Sequence, residues 1–590
     1  MLIMGIYEGH NASCSLIDGN KILYSIEEER LSRIKGHDGR NKNHGLPIKS
    51  IRWISKKLKN KKVDKIAIAL ETPENLRSTS MTLWSEAIKK QNCIEILDFF
   101  TVIDQKTLEK YNISKTEYYD ISYVTQKKRI REIIELIKIE GHDVSKVEFI
   151  EHHRAHNASC FYNTNDNEGI IFSLDGRGDS LSGAVYTFKG KNLNIQKKIS
   201  SLNSIGHFYS AITVALGFKA VKHEGKITGL AAFGNIKKEL LNRFKKLVSI
   251  SEDGLSIEST LFMGGTYGPY PYANFERYIN KISKTIKNFS KEDVAATAQY
   301  ITENIVCEWI TNWIKKVKKK NVHLCGGVFS NVKINQKISE INFIKSLTVH
   351  PGMTDCGLSV GAALDVSKPN IRKIPKDYYL GSEADYDEIE ELVLKNKGKF
   401  LITCPNNISK VAANSLSNKK IVARFDGRSE YGPRALGNRS ILYHAGDRSV
   451  NDWLNKQLKR TEFMPFAPVT LLEDLKDYYL LPKNIDILNS LKYMTITVNC
   501  SEFMKIKCPA VVHVDGTARP QLIDKKTNKK YYSILKEYKK LTGISTLVNT
   551  SFNLHDEPIV NTPTDALRAF KESKIHCLIL GKYFIERLNK

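Results

Sequence analysis

The stretch VEFIEHHRAH, residues 147–156, decides the fold class of this chain because an apolar run leads directly into paired histidines. Val147–Ile150 predicts a short buried strand, and the residues after it predict a helix. Strands that feed helices are typical of α/β folds, where ligands often bind at this junction. His152 and His156 are four residues apart, so a helix places both imidazoles on one face, as two ligands of one metal require. Two solvated or core histidines would give the same spacing, so the pattern alone leaves both interpretations open.

Two acidic residues farther along follow the ends of predicted strands. The apolar run 169–174 ends at Asp175 in the turn DGRGD, and a second strand over 183–188 completes a hairpin. Asp355 follows a predicted strand in the run 347–351 and precedes a helix of small residues. Two neutral imidazoles and two carboxylates suit Fe(II), Mn(II) or Zn(II) better than Cu(I) or Ca(II). Asp175 could instead stabilise the hairpin turn and Asp355 could cap its helix, and the spacing does not join the four residues into one site.

Length and composition limit the class of protein. The 590 residues predict three or four domains of about 150 residues, or two larger ones. A hydrophobic fraction of 41% is that of a globular protein. No apolar run approaches the roughly 20 residues of a membrane helix, and the N-terminus reads as a first strand instead of an export signal. Ten cysteines without a CxxC pair indicate reduced thiols, so we expect a cytoplasmic protein without a membrane segment.

The net charge of +26 raises the question of polyanion partners. Most of the excess is lysine dispersed along the chain, and its densest run, 315–320, lies at the end of a predicted helix, where cations favour the helix dipole. A positive field would also attract small anionic substrates. We therefore favour a solvated surface and anionic small molecules over a nucleic-acid groove.

Three segments of the first half offer chemistry for anions. Actin-like ATPase folds present backbone amides to phosphate from a turn such as GHNAS, residues 9–13. His10 in this turn could bind a phosphate, deprotonate a substrate or only hydrogen-bond the turn. Lys226 in the segment EGKITG is the phosphate contact we expect among the helices that follow. A strand, a tight turn and a helix start meet at Gly326, Gly327 and Asn331, which indicates either a nucleotide site or close packing.

Two stretches bear on the organisation of the chain. Residues 72–146 alternate helical patterns with charged loops and carry no chemistry, so they either shape an acceptor pocket or serve as scaffold. The pattern breaks over 366–382, where proline, glycine and serine cluster. We therefore predict two domains, 1–367 and 384–590.

The second domain is rich in cations that alternate with glycine, serine and asparagine at strand ends. Arginine forks match phosphate oxygens bidentately, so the stretch 422–440 is a candidate phosphate site. Ordinary solvated loops are the alternative. The candidate binding residues of this domain are Arg428, Arg434, Arg439, Lys459, Arg460, His513, Arg519, Asn549 and Ser551.

The motifs together resemble the O-carbamoyltransferase family that includes the nodulation-factor, tobramycin and cephalosporin carbamoyltransferases. The resemblance runs nearly end to end, through GHNAS, EEER, HHRAH, SLDGRGD, EGKITGLAAFG, GGVFSN, TDCGLSVGAAL, GRSEYGPRALGNRS, MPFAP, HVDGTAR and NTSFN. It implies an α/β protein with a duplicated N-terminal actin-like (ASKHA) domain and a C-terminal YrdC-like domain. It also implies that the second domain converts carbamoyl phosphate and ATP, with its Mg²⁺, into carbamoyl-adenylate and pyrophosphate. The first domain then transfers the carbamoyl group to a hydroxyl of a sugar or natural product.

The resemblance also assigns residues. It makes His152, His156, Asp175 and Asp355 ligands of Fe(II), with Mn(II) or Zn(II) as alternatives. It places Arg439, Arg519, Asn549 and Ser551 on carbamoyl phosphate or the adenylate, together with Lys459. Many relatives carry arginine where this chain has Met464, which leaves the assignment of Lys459 and Arg460 open. We take His10 as the candidate base for the acceptor hydroxyl and Arg439 and Arg519 as the other catalytic candidates.

Two other functions stay open at this stage. A tRNA threonylcarbamoyl-transfer enzyme would explain the basic charge, although the chain matches the carbamoyltransferase motifs more fully. A nucleic-acid-binding protein with a vestigial site would bind RNA with a steep salt dependence and turn over no ATP. We expect a monomer or homodimer that acts on a small molecule.

Overall fold

Two five-stranded sheets of one topology form the first half of the chain. The computed structural model describes residues 1–41, 43–76, 78–79, 115–260, 271–449 and 466–588. The first sheet has the order β3-β2-β1-β4-β5, with β1 Leu2–Tyr7, β2 Ser13–Asp18, β3 Lys21–Glu27, β4 Lys65–Ala69 and β5 Val147–Ile150. The second has the order β12-β11-β6-β7-β8, with β6 Glu168–Gly178, β7 Leu181–Lys189, β8 Asn192–Ser200, β11 Asn321–Cys325 and β12 Ser346–Val349. Between β8 and β11 in sequence, β9 Val248–Ile250 and β10 Ile257–Ser259 form a separate pair.

Each of the two sheets joins three antiparallel strands to two parallel ones. β1 pairs antiparallel with β2 and parallel with β4, and β6 pairs in the same two ways with β7 and β11. The order of strands along the chain is also the same, so the first half contains one topology twice. The predicted α/β class is confirmed, and this repeat is consistent with the predicted duplication.

Helices separate many of these strands in sequence and continue into the second half. Among the described helices that precede β5, the longest lies in the segment 72–146. The described helices are α1 Glu28–Ser32, α2 Ile48–Lys57, α3 Lys115–Ile139, α4 His152–Tyr162, α5 Ile205–Ala215, α6 Glu224–Leu230, α7 Lys238–Lys245, α8 Pro271–Ile286, α9 Lys291–Val317, α10 Val332–Ser339, α11 Leu358–Ser367, α12 Tyr386–Lys395, α13 Ile408–Ser417, α14 Leu475–Tyr478, α15 Leu488–Lys492, α16 Glu502–Lys507, α17 Lys529–Thr542 and α18 Pro563–Glu572. None of the described helices is both long enough and apolar enough to cross a membrane.

An eight-stranded mixed sheet forms the centre of the second half. Its order is β13-β23-β22-β14-β15-β21-β16-β20, and a smaller sheet has the order β17-β18-β19. The strands are β13 Phe400–Thr403, β14 Val422–Phe425, β15 Arg439–His444, β16 Ala467–Leu471, β17 Tyr479–Leu480, β18 Val498–Cys500, β19 Thr517–Ala518, β20 Gln521–Ile523, β21 Thr546–Ser551, β22 Cys577–Leu580 and β23 Tyr583–Arg587. The YrdC-like assignment and the two domain boundaries stay predictions.

Helix α4, which carries the paired histidines, packs closely against α11. Ala155, Ala158 and Ala362 are fully buried between the two helices and their sheets. A Cβ atom on Gly361 would lie only 1.9 Å from the carbonyl oxygen of Ala155, so only glycine permits this approach. Small residues at the helix contact therefore fix the position of α4 relative to the loop that precedes α11.

Arginines bind backbone carbonyls across the boundary between the two halves. Arg33 donates from Nη1 to the oxygen of Ile559 at 2.8 Å and from Nη2 to that of Pro558 at 3.0 Å. In the opposite direction, Arg428 donates from Nη2 to the oxygen of Leu23 at 2.8 Å. Charge-assisted hydrogen bonds of this kind are stronger than neutral ones, and they hold β3 and the residue after α1 against the second half.

A candidate metal centre and the residues around it

Two carboxylates fix the start of α4. The backbone N–H of His152 donates to Oδ2 of Asp179 at 2.9 Å. The next two N–H groups, of His153 and Arg154, donate to the Glu151 carboxylate at 2.7 and 2.8 Å. The first amides of a helix have no partner within it, and acidic groups are favoured there. The helix therefore begins at His152 and, as its spacing predicts, brings the rings of His152 and His156 to a centroid separation of 4.8 Å.

Asp175 and Asp355 reach the same point from the second sheet. The ladder between β6 and β7 is interrupted after Leu174, which frees Asp175 to turn away from the sheet. Its carboxylate accepts from the amides of Gly176 and Gly327. Asp355 follows β12 and does not cap the helix after it. Both aspartates are thus oriented toward the histidines, and the alternative in which Asp355 is a helix cap is wrong.

The four side chains predicted as metal ligands converge. Nε2 of His152 lies 3.9 Å from Oδ2 of Asp175 and 3.6 Å from Oδ1 of Asp355. The corresponding distances from Nε2 of His156 are 3.4 and 3.5 Å. One ligand atom from each residue lies within 4.8 Å of all the others. Ligand atoms about 2.1 Å from a common ion stand roughly 3.0–3.5 Å apart, so the cluster is only slightly wider than a loaded site.

The chemistry of these donors also fits a cation. Nε2 of both histidines is buried without a hydrogen-bond partner among the described residues. Burial lowers the pKa of His156, but the carboxylates of Asp175 and Asp355 outweigh it and raise the pKa to about 9. Burial raises the pKa of Asp175, but the two imidazoles hold it well below its usual range. Without a metal, a proton on His156 would balance the charge of the two carboxylates. A divalent ion could balance the same charge in its place.

Contacts that orient these ligands were not found from the sequence. Tyr7 donates its hydroxyl to Oδ2 of Asp355 at 2.8 Å, across 348 positions of sequence. Asp179, the second acidic residue of the DGRGD turn, holds the start of α4 instead of facing the cluster. Gln126 and Arg129 of α3 join this network. Only the DGRGD turn carried a sequence signal, and it pointed to Asp175.

The other candidates of the first half lie in varied surroundings. His10 is half-buried, and burial lowers its pKa while the nearby carboxylates of Asp355 and Asp38 act in the opposite direction. The Gly327 amide is used by Asp175, and the Asn331 side chain caps α10. Gly326 takes a φ of +93°, and Lys226 is half-buried in α6. A nucleotide-binding role for Lys226, Gly326, Gly327 and Asn331 stays a prediction.

Arg439 in the second half is fully buried at 0% exposure. Its guanidinium stacks 3.7 Å from the ring centre of Phe425 and donates to four backbone carbonyls, of residues 382, 426, 427 and 438. Burial lowers its pKa to about 10. The structure therefore shows Arg439 organising the loop that precedes β15, and a contact with carbamoyl phosphate stays a prediction.

The remaining candidates of the second half are spread over several loops. Arg428 donates to carbonyls of residues 23, 380 and 381. Ser551 donates to Asn553 at 2.6 Å. Arg434 and Arg519 are half-buried. Their binding roles stay predictions, and Lys459, Arg460 and Met464 lie outside the described residues.

Asn549 and His513 each have one buried polar atom without a hydrogen-bond partner among the described residues. Asn549 donates to Gln521 at 2.7 Å, while its Oδ1 is buried without a partner in the described chain. Nε2 of His513 is also buried without one, although Nδ1 lies 3.1 Å from Asp515. His513 lines a cleft of about 620 Å³ that also includes Arg448 and Lys505. These are the features of the second half that most directly suit a polar, anionic ligand.

Two parts of the sequence match the two ends of one known protein family. Residues 2–364 match the carbamoyltransferase N-terminus and residues 413–587 match the carbamoyltransferase C-terminus. The chain is 30% identical over 596 residues to an uncharacterised protein of Methanocaldococcus jannaschii, MJ1051, with 100% of both chains covered. It is 31% identical over 448 residues to nodulation protein NolO of Bradyrhizobium diazoefficiens, covering 74% of this chain and 79% of the relative.

Similarity to solved structures is weaker. HypF from T. kodakarensis has 13% sequence identity and a TM-score of 0.34, and the match covers 62% of this chain and 48% of the HypF chain. An activator of 2-hydroxyisocaproyl-CoA dehydratase from Clostridium difficile, solved with ADPNP, has 14% sequence identity and a TM-score of 0.31. The match covers 63% of this chain and 96% of the activator chain. Scores this low do not assign the fold.

Proposed function

The chain belongs to the carbamoyltransferase family and is a transferase, and from this premise we propose that it is an ATP-dependent O-carbamoyltransferase. In the first step carbamoyl phosphate, ATP and one water give carbamoyl-adenylate, pyrophosphate and inorganic phosphate. In the second step an acceptor hydroxyl attacks the carbamoyl carbon, the bond to AMP breaks, and the hydroxyl proton passes to a base. The products are a carbamate ester and AMP.

The convergence of His152, His156, Asp175 and Asp355 is the observation that carries this proposal. Their two nitrogens and two oxygens would hold Fe(II), and Mn(II) or Zn(II) fit the same donors. Such an ion would supply Lewis-acid stabilisation of the carbamoyl oxygen as negative charge develops on it. The protein holds the ligands rigidly, because α4 is fixed at its start and Asp175 is fixed by two amides.

His10 is our candidate for the base that accepts the hydroxyl proton. Burial lowers its pKa, which favours the neutral imidazole that can accept a proton. The carboxylate of Asp38, which is not one of the four converging side chains, opposes this shift, and it would stabilise the imidazolium once it forms. His10 therefore combines a neutral resting state with a neighbour that favours proton uptake.

The polar atoms of the second half support adenylate formation there. The amide of a carbamoyl group is a hydrogen-bond donor, and Oδ1 of Asn549 is a buried acceptor. The cleft beside His513 brings Arg448 and Lys505 together, as phosphate groups require. Lys333 of the first half pairs with Asp515 at the edge of this cleft at 2.8 Å, so the cleft borders both halves. A labile adenylate formed there would have a short path to the first half, sheltered from hydrolysis.

We propose a small-molecule acceptor with a free hydroxyl, a sugar or natural product, for a cytoplasmic monomer or homodimer. The net charge of +26 favours anionic substrates such as carbamoyl phosphate and ATP. Nucleic acid is not needed to account for this charge, since most of it is dispersed lysine.

The test separates the two steps. The native protein should release pyrophosphate from ATP only when carbamoyl phosphate is present, and should carbamoylate an acceptor from a panel of sugars and hydroxylated natural products. His152→Ala should lose the metal and the transfer step while pyrophosphate release continues. Dependence on threonine and bicarbonate in place of carbamoyl phosphate would instead identify threonylcarbamoyl transfer.

A neighbouring histidine provides the control. His153 is buried beside the cluster, but its Nδ1 lies 3.0 Å from Ser173 and it is not one of the four converging side chains. His153→Asn should keep the metal. Metal loss in both variants would indicate damage to α4, and intact transfer by metal-free protein would refute the role of the centre.

A further inference from the structure

Helix α3 lies in the segment 72–146, where the sequence offered no chemistry, yet it reaches the candidate metal centre. Gln126 is fully buried, and its Nε2 donates to Oδ1 of Asp179 at 3.1 Å and to the carbonyl oxygen of Glu71 at 2.8 Å. The other oxygen of Asp179 accepts the N–H of His152 at 2.9 Å. A continuous chain of hydrogen bonds therefore joins α3 to the first residue of the helix that carries two ligands.

Arg129, one turn along the same face of α3, reaches the other side of the centre. It donates from Nε to Oε1 of Glu8 at 2.8 Å and from Nη1 to Oε1 of Gln126 at 2.9 Å. Glu8 directly follows Tyr7, whose hydroxyl binds Asp355. Residues three apart share one face of a helix, so a single turn of α3 braces elements that hold ligands from both sheets.

The Asp179 carboxylate is the sensitive point of this network. It is only 4% exposed, and its two oxygens accept from His152, Glu71 and Gln126. These three donors, and not its backbone conformation, fix the position of the carboxylate. A buried carboxylate that loses a donor must find another or move, and movement would displace the start of α4.

We propose that α3 is a positioning element of the metal centre, with Gln126 acting through Asp179 on His152 and Arg129 acting through Glu8 on the Tyr7–Asp355 pair. This rests on the proposed function only in that the four converging side chains bind a metal. The part of α3 that carries Gln126 and Arg129 then helps to hold the ligands and is more than scaffold.

The test is a Co(II) titration of the full chain, followed by visible absorption and by thermal unfolding. Gln126→Glu places a second carboxylate against Asp179, so we expect the Co(II) dissociation constant to rise roughly tenfold or more, as for other residues that orient ligands. The absorption bands of bound Co(II) should also shift, since they report ligand geometry. Arg52→Ala is the control, because it removes the Arg52–Glu140 pair at the far end of α3 without touching the network.

A second variant tests the contact itself. In Gln126→Glu combined with Asp179→Asn, the donor and acceptor of the contact between residues 126 and 179 exchange places, while the bond to the carbonyl of Glu71 stays lost. Co(II) affinity should therefore recover in part, to a value between those of Gln126→Glu and the native protein. Native affinity in Gln126→Glu, an equal loss in Arg52→Ala, or no recovery in the double variant would each overturn the inference. Failure of the native protein to bind Co(II) or any of the three candidate metals would overturn the metal centre as well, which distinguishes the two failures.

Discussion

The hydroxyl of Tyr7 donates to Oδ2 of Asp355 at 2.8 Å, while Oδ1 of the same carboxylate faces the nitrogens of His152 and His156. Tyr7 ends the first strand of the chain, and Asp355 follows the last strand of the second sheet. The ring of Tyr7 also stands edge-on to that of His152, at a centroid distance of 5.8 Å. One side chain of the first sheet thus sets which oxygen of Asp355 is presented to the cluster.

Tyr7→Phe should weaken metal binding while leaving the fold intact. Without the hydroxyl, the Asp355 carboxylate can rotate, and residues that orient ligands typically change metal affinity by about ten- to a hundredfold. The loss of one buried hydrogen bond should lower the free energy of unfolding by only about 1 kcal/mol. Metal titration and denaturant unfolding measure the two effects separately.

Tyr531→Phe is the matched control for this change. It also removes a buried tyrosine hydroxyl, but one that has no hydrogen-bond partner in the described part of the chain. Metal affinity should stay at the native value. If the two variants bind metal equally well, the Tyr7 hydroxyl does not position Asp355.

His350 should make the stability of the protein depend on pH in the mildly acidic range. Burial lowers its pKa to about 4, and its ring stands edge-on to those of Tyr378 and Tyr431. An unfolded histidine takes up a proton near pH 6.5, so the unfolded state binds more protons as the pH falls from 6.5 to about 4. The contribution of His350 is complete above pH 6.5 and should fall by up to about 3 kcal/mol across this range.

Denaturant unfolding of the native protein and of His350→Leu at several pH values measures this dependence. Chelator should be present throughout, so that metal release does not add to the slope. The variant should lose less stability than the native protein between pH 6.5 and pH 4. Parallel curves would show that His350 does not titrate as its burial requires.

The sequence predicted the four converging side chains better than the contacts that orient them. The local spacing of His152 and His156 identifies them as a candidate pair. Asp175 and Asp355 are identified by their positions after strands together with the family motifs. Tyr7 and Gln126 carry no such signal, because a tyrosine in a strand and a glutamine in a helix are ordinary residues until the fold brings their partners to them. Arg439 shows the converse, since a conspicuous arginine can serve backbone carbonyls, and sequence does not distinguish this role from phosphate binding.

Asn549→Leu should impair adenylate formation and leave the metal centre unaffected. The change removes the buried Oδ1 that we assign to the amide of the carbamoyl group. A carbamoyl N–H left without an acceptor costs about 1–3 kcal/mol, which corresponds to a loss of roughly five- to a hundredfold in kcat/KM for pyrophosphate release. Gln521→Leu breaks the same Asn549–Gln521 bond but keeps this oxygen, so its effect should be much smaller. Equal losses of kcat/KM in the two variants would contradict the assignment of the Asn549 Oδ1 atom to the carbamoyl amide.

Arg33→Ala should uncouple the two steps of the reaction. Arg33 of the first half donates to the carbonyl oxygens of Ile559 and Pro558 in the second, so its loss should loosen the boundary that shelters the adenylate. Escaped adenylate is hydrolysed, so the ratio of pyrophosphate released to acceptor carbamoylated should rise above that of the native protein. Arg243→Ala is the control, because Arg243 also donates to a backbone carbonyl, that of Thr285 at 2.7 Å, but within one half. An unchanged ratio in Arg33→Ala, or an equal rise in both variants, would show that the boundary at Arg33 does not retain the intermediate.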